Sequence, residues 1–489
     1  MAKFDYDVLV IGGGSGGLTA SKMAAGLGKK VGLIERDKLG GECTWSGCVP
    51  SKALIKAAEL VHSAKKLKEL RFIDPEKQKL NSAEIMHFVR DRVKEVYQTH
   101  TPEVIAKEGI DVLFGSPQFL DNHSVVFAGK TVSAKKFIIC TGSSPFIPPI
   151  EGLADTAFLT NKSLFDLEKL PESLLILGAG PIGSEIACAL NRLGVQVTVV
   201  EMNKQIMPRE DMQLAVILQE HLAKEGVLFK TETRATQINA LPGSAEFICT
   251  PASELSQIGQ QEEATFKLRA ERCLIATGRK PNTEGLDLEK AGVQFDKRGI
   301  VVNKRLKTTA PNIYACGDVI GSYQFSHVAW QQAIVATRNA LIPLFKQRID
   351  YKNVLWITFT APELASLGLT EQQAQEQYGS QIKIYKKRYS EIDRGVIDMA
   401  TPGLGKFICD KKGRLLGAHI LGARAGELIH ELQLTKALGA KFSCLGSVLH
   451  AYPAYSDLVW KAAKKARLDA LQNNFFVKLY KKLFGKGKK

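Results

Sequence analysis

What this 489-residue chain lacks narrows its class before any motif is read. No apolar run approaches the ~18 residues that a membrane-crossing helix needs. The run Val8–Ile11 is too short for a secretory h-region and leads straight into glycines, so the expectation is a cytoplasmic protein. Nine cysteines are too few for a disulfide framework in a chain of this length. Seven are scattered (Cys140, Cys188, Cys249, Cys273, Cys316, Cys409 and Cys444), most of them in apolar runs where cysteine behaves as a small hydrophobe. The body also lacks a strong charge of one sign. Ten Lys or Arg face one acid, Asp469, between Lys461 and the end, so nine of the sixteen net positive charges sit in a tail. That distribution gives no argument for a nucleic-acid groove. The ordinary apolar and charged fractions, 45% and 24%, fit a globular protein whose length calls for two or three domains.

Two glycine-rich segments are present, and they are related. An apolar strand pattern from Asp5 runs into Gly12, Gly14 and Gly17, followed by a helical stripe of Ala20, Met23, Ala24 and Leu27. A second strand, Lys30 to Ile34, ends in Glu35. The order recurs from Ser173: a strand, then Gly178, Gly180 and Gly183, a helix, and a strand ending in Glu201. First glycine and acid are 23 residues apart in both copies. Each residue type has a task in dinucleotide binding. The first glycine permits a tight turn, the second lets a pyrophosphate approach the backbone, and the third lets helix and strand pack closely. The helix N-terminus offers amide donors to phosphate, and the acid accepts from ribose hydroxyls. Two such units predict two sites, one for a held FAD and one for a nicotinamide substrate. Glu201 favours a free 2′-hydroxyl over a 2′-phosphate, so NADH is expected ahead of NADPH.

The remaining two cysteines, Cys43 and Cys48, share the segment Gly40–Lys52 with four residues between them, just before a helical pattern over residues 53–60. Thiols near a helix start are favoured as thiolates, the nucleophilic form in disulfide exchange. The run Cys43 to Lys52, read as Cys-x4-Cys-x-Pro-Ser-Lys after a first glycine loop, resembles the class I pyridine nucleotide–disulfide oxidoreductases, whose members include dihydrolipoamide dehydrogenase, glutathione reductase and mercuric reductase. Cys140–Pro145 and Ala276–Asn282 match that family's two strand-end motifs, Ile313–Asp318 its second FAD motif, and Phe359–Glu371 the opening of its dimerisation domain.

The resemblance implies an α/β fold with two Rossmann-like FAD/NAD(P)-binding domains plus a C-terminal α+β dimerisation domain. Residues 1–150 and 280–346 would bind FAD, 151–279 NADH, and 347–465 would form a homodimer interface. Electrons would pass from NADH through FAD to the Cys43–Cys48 disulfide, and Cys43 would attack the acceptor. Lys52 and Glu185 would pair beside the flavin, and Asp318 would bind the ribitol. Thr141, Gly142, Gly278, Arg279 and Gly317 would lie at the cofactors, with Ser326 and His327 at the entry to the following helix. No resident metal is expected.

The chain departs from the pattern in three places. Family members acting on small disulfides carry a catalytic His held by a Glu near the C-terminus, whereas here Tyr452 and Asp457 occupy those positions in His450–Asp457. A phenol with a pKa of about 10 is a poor base near neutral pH. Tyr452 therefore reads as a proton donor or metal-facing hydroxyl, or as packing where the acceptor needs no base, or else His450 has taken over. The acceptor stays open between a small-molecule or protein disulfide and, as the alternative, a metal ion or quinone reduced by a membrane-associated diaphorase. Pro181 replaces an aromatic gate found in glutathione reductases. The match ends after Lys465, and the tail 466–489 places Phe475, Phe476, Leu479 and Leu483 on one helical stripe among lysines. That pattern predicts either peripheral contact with the inner membrane face or a helix packed on its own dimer or frayed in solvent.

Overall fold

A computed structural model describes residues 4–72, 80–252, 265–472 and 474–484. The first apolar run becomes the strand Tyr6–Ile11, with Val8, Leu9 and Val10 fully buried. It pairs in parallel with Val31–Glu35 on one side (Val8↔Val31) and Lys130–Ile139 on the other (Val10↔Ile138). Parallel strands covered on both faces need no polar alternation, which is why the sequence reads as an unbroken apolar run. Ile110–Phe114 extends the sheet beyond Val31–Glu35. At its other side the late strand Ile313–Ala315 returns to pair in parallel with Lys130–Ile139. The following helix, Ser326–Leu341, packs against the first helix, Ser15–Gly26. This return makes one dinucleotide unit from two separated stretches of chain.

The second unit is a parallel sheet in the order Leu228–Lys230, Gln196–Val200, Ser173–Leu177, Arg272–Ile275. An antiparallel three-stranded sheet, Thr233–Leu241, Ser244–Pro251 and Phe266–Ala270, stands in place of the further βα units of an ideal doubly wound fold. The third unit is a five-stranded antiparallel sheet in the order Leu355–Thr358, Glu363–Gly368, Leu415–Gly422, Leu404–Cys409, Lys383–Arg388. Helices Ala425–Ala437 and Asp457–Gln472 pack on it. The α/β class with an α+β third unit is as the sequence leads one to expect.

Buried charges join the second and third units. The Lys406 ammonium, almost wholly buried, lies 2.6 Å from Asp211 and 2.7 Å from Glu371. Beside it, Glu210 accepts hydrogen bonds from the Trp356 indole and the Ser366 hydroxyl, and burial pushes its carboxyl pKa upward. A buried ion is tolerated only with such partners, and losing one of them typically costs about 3–5 kcal/mol. Among the described residues, no helix is long and apolar enough to cross a membrane.

Candidate active site

The two glycine loops have matching geometry. Gly12 has φ +101°, and a Cβ there would sit 2.5 Å from the Cys140 carbonyl oxygen. Gly178 also has φ +101°, with the Ala276 carbonyl oxygen at the same distance. A Cβ on Gly17 would lie 1.7 Å from the Gly12 oxygen, and one on Gly183 would lie 2.0 Å from the Gly178 oxygen. The middle glycines, Gly14 and Gly180, cap helices Ser15–Gly26 and Pro181–Arg192 and leave space in front of those helix starts. Pro181 takes the first helical position, where a missing N–H costs nothing. The acids behave as a pair too. Glu35 accepts from the Gly13 amide (2.6 Å), and Glu201 from the Ala179 amide (2.7 Å). Both helix starts and both acids therefore fit an adenine dinucleotide, with amides for its pyrophosphate and a carboxylate for its ribose.

The thiol segment lies against the first loop. Gly40 N–H donates to the Gly13 carbonyl (2.9 Å), and a Cβ on Gly41 would meet the Gly14 Cα at 2.7 Å. Cys43 lies in a short helix, Gly41–Trp45. Cys48 opens the long helix Cys48–Glu69, which starts five residues earlier than the sequence pattern suggested. The Cys48 thiol donates to Cys43, and that hydrogen bond lowers the Cys43 pKa from 9.0 to about 6, with Ser326 and Ser15 adding to the effect. The same bond and burial push Cys48 upward. Ser326 Oγ lies 3.6 Å from Cys48 Sγ. The pair thus contains one ready thiolate and one proton held beside it.

Lys52 follows one turn along the helix, and its ammonium meets Glu185 at 2.7 Å. The other Glu185 oxygen accepts the Phe359 amide (2.8 Å), and Lys52 sits 4.5 Å above the Phe359 ring centroid. The first, second and third units all contribute to this contact. Asp318, at a turn after Gly317 (φ +79°), accepts from Ser143 Oγ (2.6 Å). Arg279 donates to Ser143 (2.8 Å), bonds Glu42, and approaches Asp318 at 3.6 Å. Glu42 also accepts from Asn161 (2.8 Å). Thr141 and Gly142 are tied to Asn282 by hydrogen bonds of 2.7 and 3.0 Å, and Gly278 accepts from Phe146. His327 Nε2 lies 2.8 Å from the Leu355 carbonyl oxygen, and burial lowers its pKa.

Sequence reasoning missed Glu42, Ser143 and Asn161. Glu42 carried a signal, an acid wedged between Gly41 and Cys43. Its two partners are distant in sequence and become evident only in the fold.

The C-terminal segment gives Tyr452 and Asp457 separate partners. Tyr452 Oη donates to Asp393 (2.6 Å), which raises the phenol pKa further. Asp457 instead lies buried at the start of its helix, 3.4 Å from Lys461. Tyr452 and Asp457 thus occupy the family's positions without bonding each other: Asp457 stands at the first residue of the helix Asp457–Gln472, and Tyr452 is bonded to Asp393. His450 is bonded to Glu431 at 2.9 Å. The side chains of Tyr452, Leu449, Leu434 and Leu438 are exposed on this unit.

Two dinucleotide cradles around one dithiol define, as a class, a pyridine-nucleotide flavoprotein. Comparison with known proteins makes the class specific. Residues 6–333 match the pyridine nucleotide-disulphide oxidoreductase family, and residues 354–463 match its dimerisation domain. The chain belongs to the class I pyridine nucleotide–disulfide oxidoreductases, which are FAD- and NAD(P)H-dependent flavoproteins. It is 34% identical over 470 residues to a dihydrolipoyl dehydrogenase of Thermus scotoductus, covering 95% of this chain and 98% of that one. It is 32% identical over 452 residues to a mercuric reductase of Bacillus cereus, covering 92% and 69%. A solved structure similar to it is the HOCl-induced flavoprotein disulfide reductase RclA of Escherichia coli, with TM-score 0.83, 28% identity and coverage of 94% and 99%. The protein is an NAD(P)H-dependent disulfide oxidoreductase with a homodimer-forming domain.

Proposed function

We propose that the chain passes electrons from NADH to a small-molecule or protein disulfide, with Cys43 as the attacking thiolate and Cys48 as its partner on the flavin side. The observation that carries this reading is geometric: Cys43 and Cys48 sit on two successive helices, Gly41–Trp45 and Cys48–Glu69, packed against the first glycine loop, with the Lys52–Glu185 pair one turn further on. Bound FAD supplies the two-electron carrier between nicotinamide and thiols. Residues 1–150 and 280–346 form its domain, 151–279 the NADH domain and 347–465 the dimer interface. Gly12, Gly14, Gly17, Glu35, Thr141, Gly142, Gly317, Asp318 and Ser326 hold FAD. Gly178, Gly180, Gly183 and Glu201 hold NADH, with Gly278 and Arg279 between the two.

Lys52, kept in place by Glu185, sets a positive charge on the flavin side of the dithiol. Glu201, nearly buried and already accepting from Ala179 and Asn203, disfavours the extra phosphate of NADPH. Tyr452 stays protonated through neutral pH and donates hydrogen bonds; it does not accept a proton from substrate. Asp457 serves the start of the helix Asp457–Gln472, which packs on the third unit. The finer placement, a protein held at the inner membrane face by its tail, is supported by the basic, apolar C-terminal segment.

The test is a thiol count. FAD-loaded enzyme reduced anaerobically with one equivalent of NADH and then denatured should show two more titratable thiols than the oxidised form. Cys43→Ser should show no gain. An equal count before and after NADH in the unmodified enzyme overturns the proposal.

A further inference from the structure

The tail bears a surface that the redox chemistry does not use. Residues Phe475–Phe484 form a helix directly after Asp457–Gln472. At about 100° per residue, Phe475, Phe476, Leu479, Tyr480 and Leu483 fall within one broad face, and Lys478 falls outside it. The preceding helix buries Leu458, Val459, Ala462, Ala463 and Ala466 against the third unit. In the terminal helix, by contrast, Phe475, Phe476, Leu479 and Leu483 are 41–75% exposed. Large apolar side chains grouped on one exposed face mark an interaction surface, whereas single exposed ones do not.

Charge decides what that surface meets. The segment from Lys461 onward carries ten basic residues and one acid, and the rest of the chain is also net positive. A second copy would bring the same positive field to the contact. A surface of anionic lipid headgroups suits both halves of the helix: the acyl boundary takes the aromatic and leucine face, and the headgroups take the lysines. We propose that Phe475–Phe484 is an in-plane anchor that docks the reductase on anionic lipid. This rests on the membrane placement proposed above and names the lipid chemistry; it does not depend on the identity of the electron acceptor.

The experiment is sedimentation of the full-length, FAD-loaded enzyme with vesicles of phosphatidylcholine alone or with about 30 mol% phosphatidylglycerol, a content chosen to give a negative surface. Pelleting should be at least roughly tenfold greater with the anionic vesicles and should fall sharply in high salt. The triple variant Phe475→Ser, Phe476→Ser, Leu479→Ser should lose it while keeping its flavin spectrum and dimer mass. Equal, negligible pelleting with both vesicle types overturns the proposal, as does undiminished binding by the variant. Dissociation of the variant into monomers also overturns it, by assigning the helix to the dimer. Reduction of a soluble disulfide by NADH, measured without vesicles, reads the redox assignment separately, so failure of one claim is distinguishable from failure of the other.

Discussion

The two glycine loops share backbone geometry and differ in what lies in front of them. At the first, Gly14 faces the Gly41 Cα at 3.8 Å, measured from the position a Cβ would take, and the thiol segment is bonded to Gly13. At the second, a Cβ on Gly180 would meet nothing within 4 Å. On the proposed assignment this difference fits two roles: FAD under the first loop would lie against the thiol segment, and NADH at the second would be free to exchange.

The largest test of this contrast exchanges the third glycines. In Gly17→Ala the new methyl would lie 1.7 Å from a carbonyl oxygen, an overlap that costs roughly 3 kcal/mol or more. Flavin content after purification should fall to near zero, with a lowered Tm. Gly183→Ala carries a similar clash, at 2.0 Å, but in the other unit. Its flavin should be retained, while flavin bleaching by NADH slows roughly 100-fold, equivalent to about 2.7 kcal/mol. Equal flavin loss in both variants would erase the distinction. Next in size is Gly41→Ala, at φ +56° with Gly14 at 2.7 Å. It should weaken FAD retention about tenfold or more, as measured by dialysis against apoenzyme. Gly180→Ala should instead raise the KM for NADH about tenfold and leave bound flavin alone.

Smaller still is Glu201→Ser, which removes the carboxylate that repels a 2′-phosphate. The ratio of kcat/KM for NADPH to that for NADH should rise about tenfold. The subtlest effect lies in the thiols. A pKa lowered from 9.0 to about 6 means that Cys43 is already thiolate above pH 6 and becomes protonated as pH falls through that value. Iodoacetamide labelling of reduced enzyme at Cys43 should therefore rise to a plateau with a midpoint near pH 6. A midpoint near 9 would show that Cys48 does not hold the thiolate.

The cradles and the dithiol were legible because their signals are local: glycines, acid, cysteines and Lys52 stand at fixed short spacings along single segments. The Lys52–Glu185 pair was reachable only through the family resemblance, since 133 residues separate its members. The Glu42–Arg279 bond and the Tyr452–Asp393 bond were not legible. Each depends on where distant strands and turns come to rest, and Asp393 lies in a short helix with no motif of its own. The Cys140 and Cys316 thiols, 3.3 Å apart at the ends of paired strands, likewise read only as separate core residues until the strand Ile313–Ala315 returned to the first sheet.

On the proposed mechanism, electrons leave through Cys43 to a disulfide although no histidine stands at position 452. That route is tested most directly by reducing the enzyme anaerobically with NADH and following flavin reoxidation by lipoamide beside a soluble quinone. Reoxidation by lipoamide should be abolished in Cys43→Ser and should change by no more than about tenfold in Tyr452→Phe. Reoxidation by quinone alone, unchanged in Cys43→Ser, would contradict the mechanism.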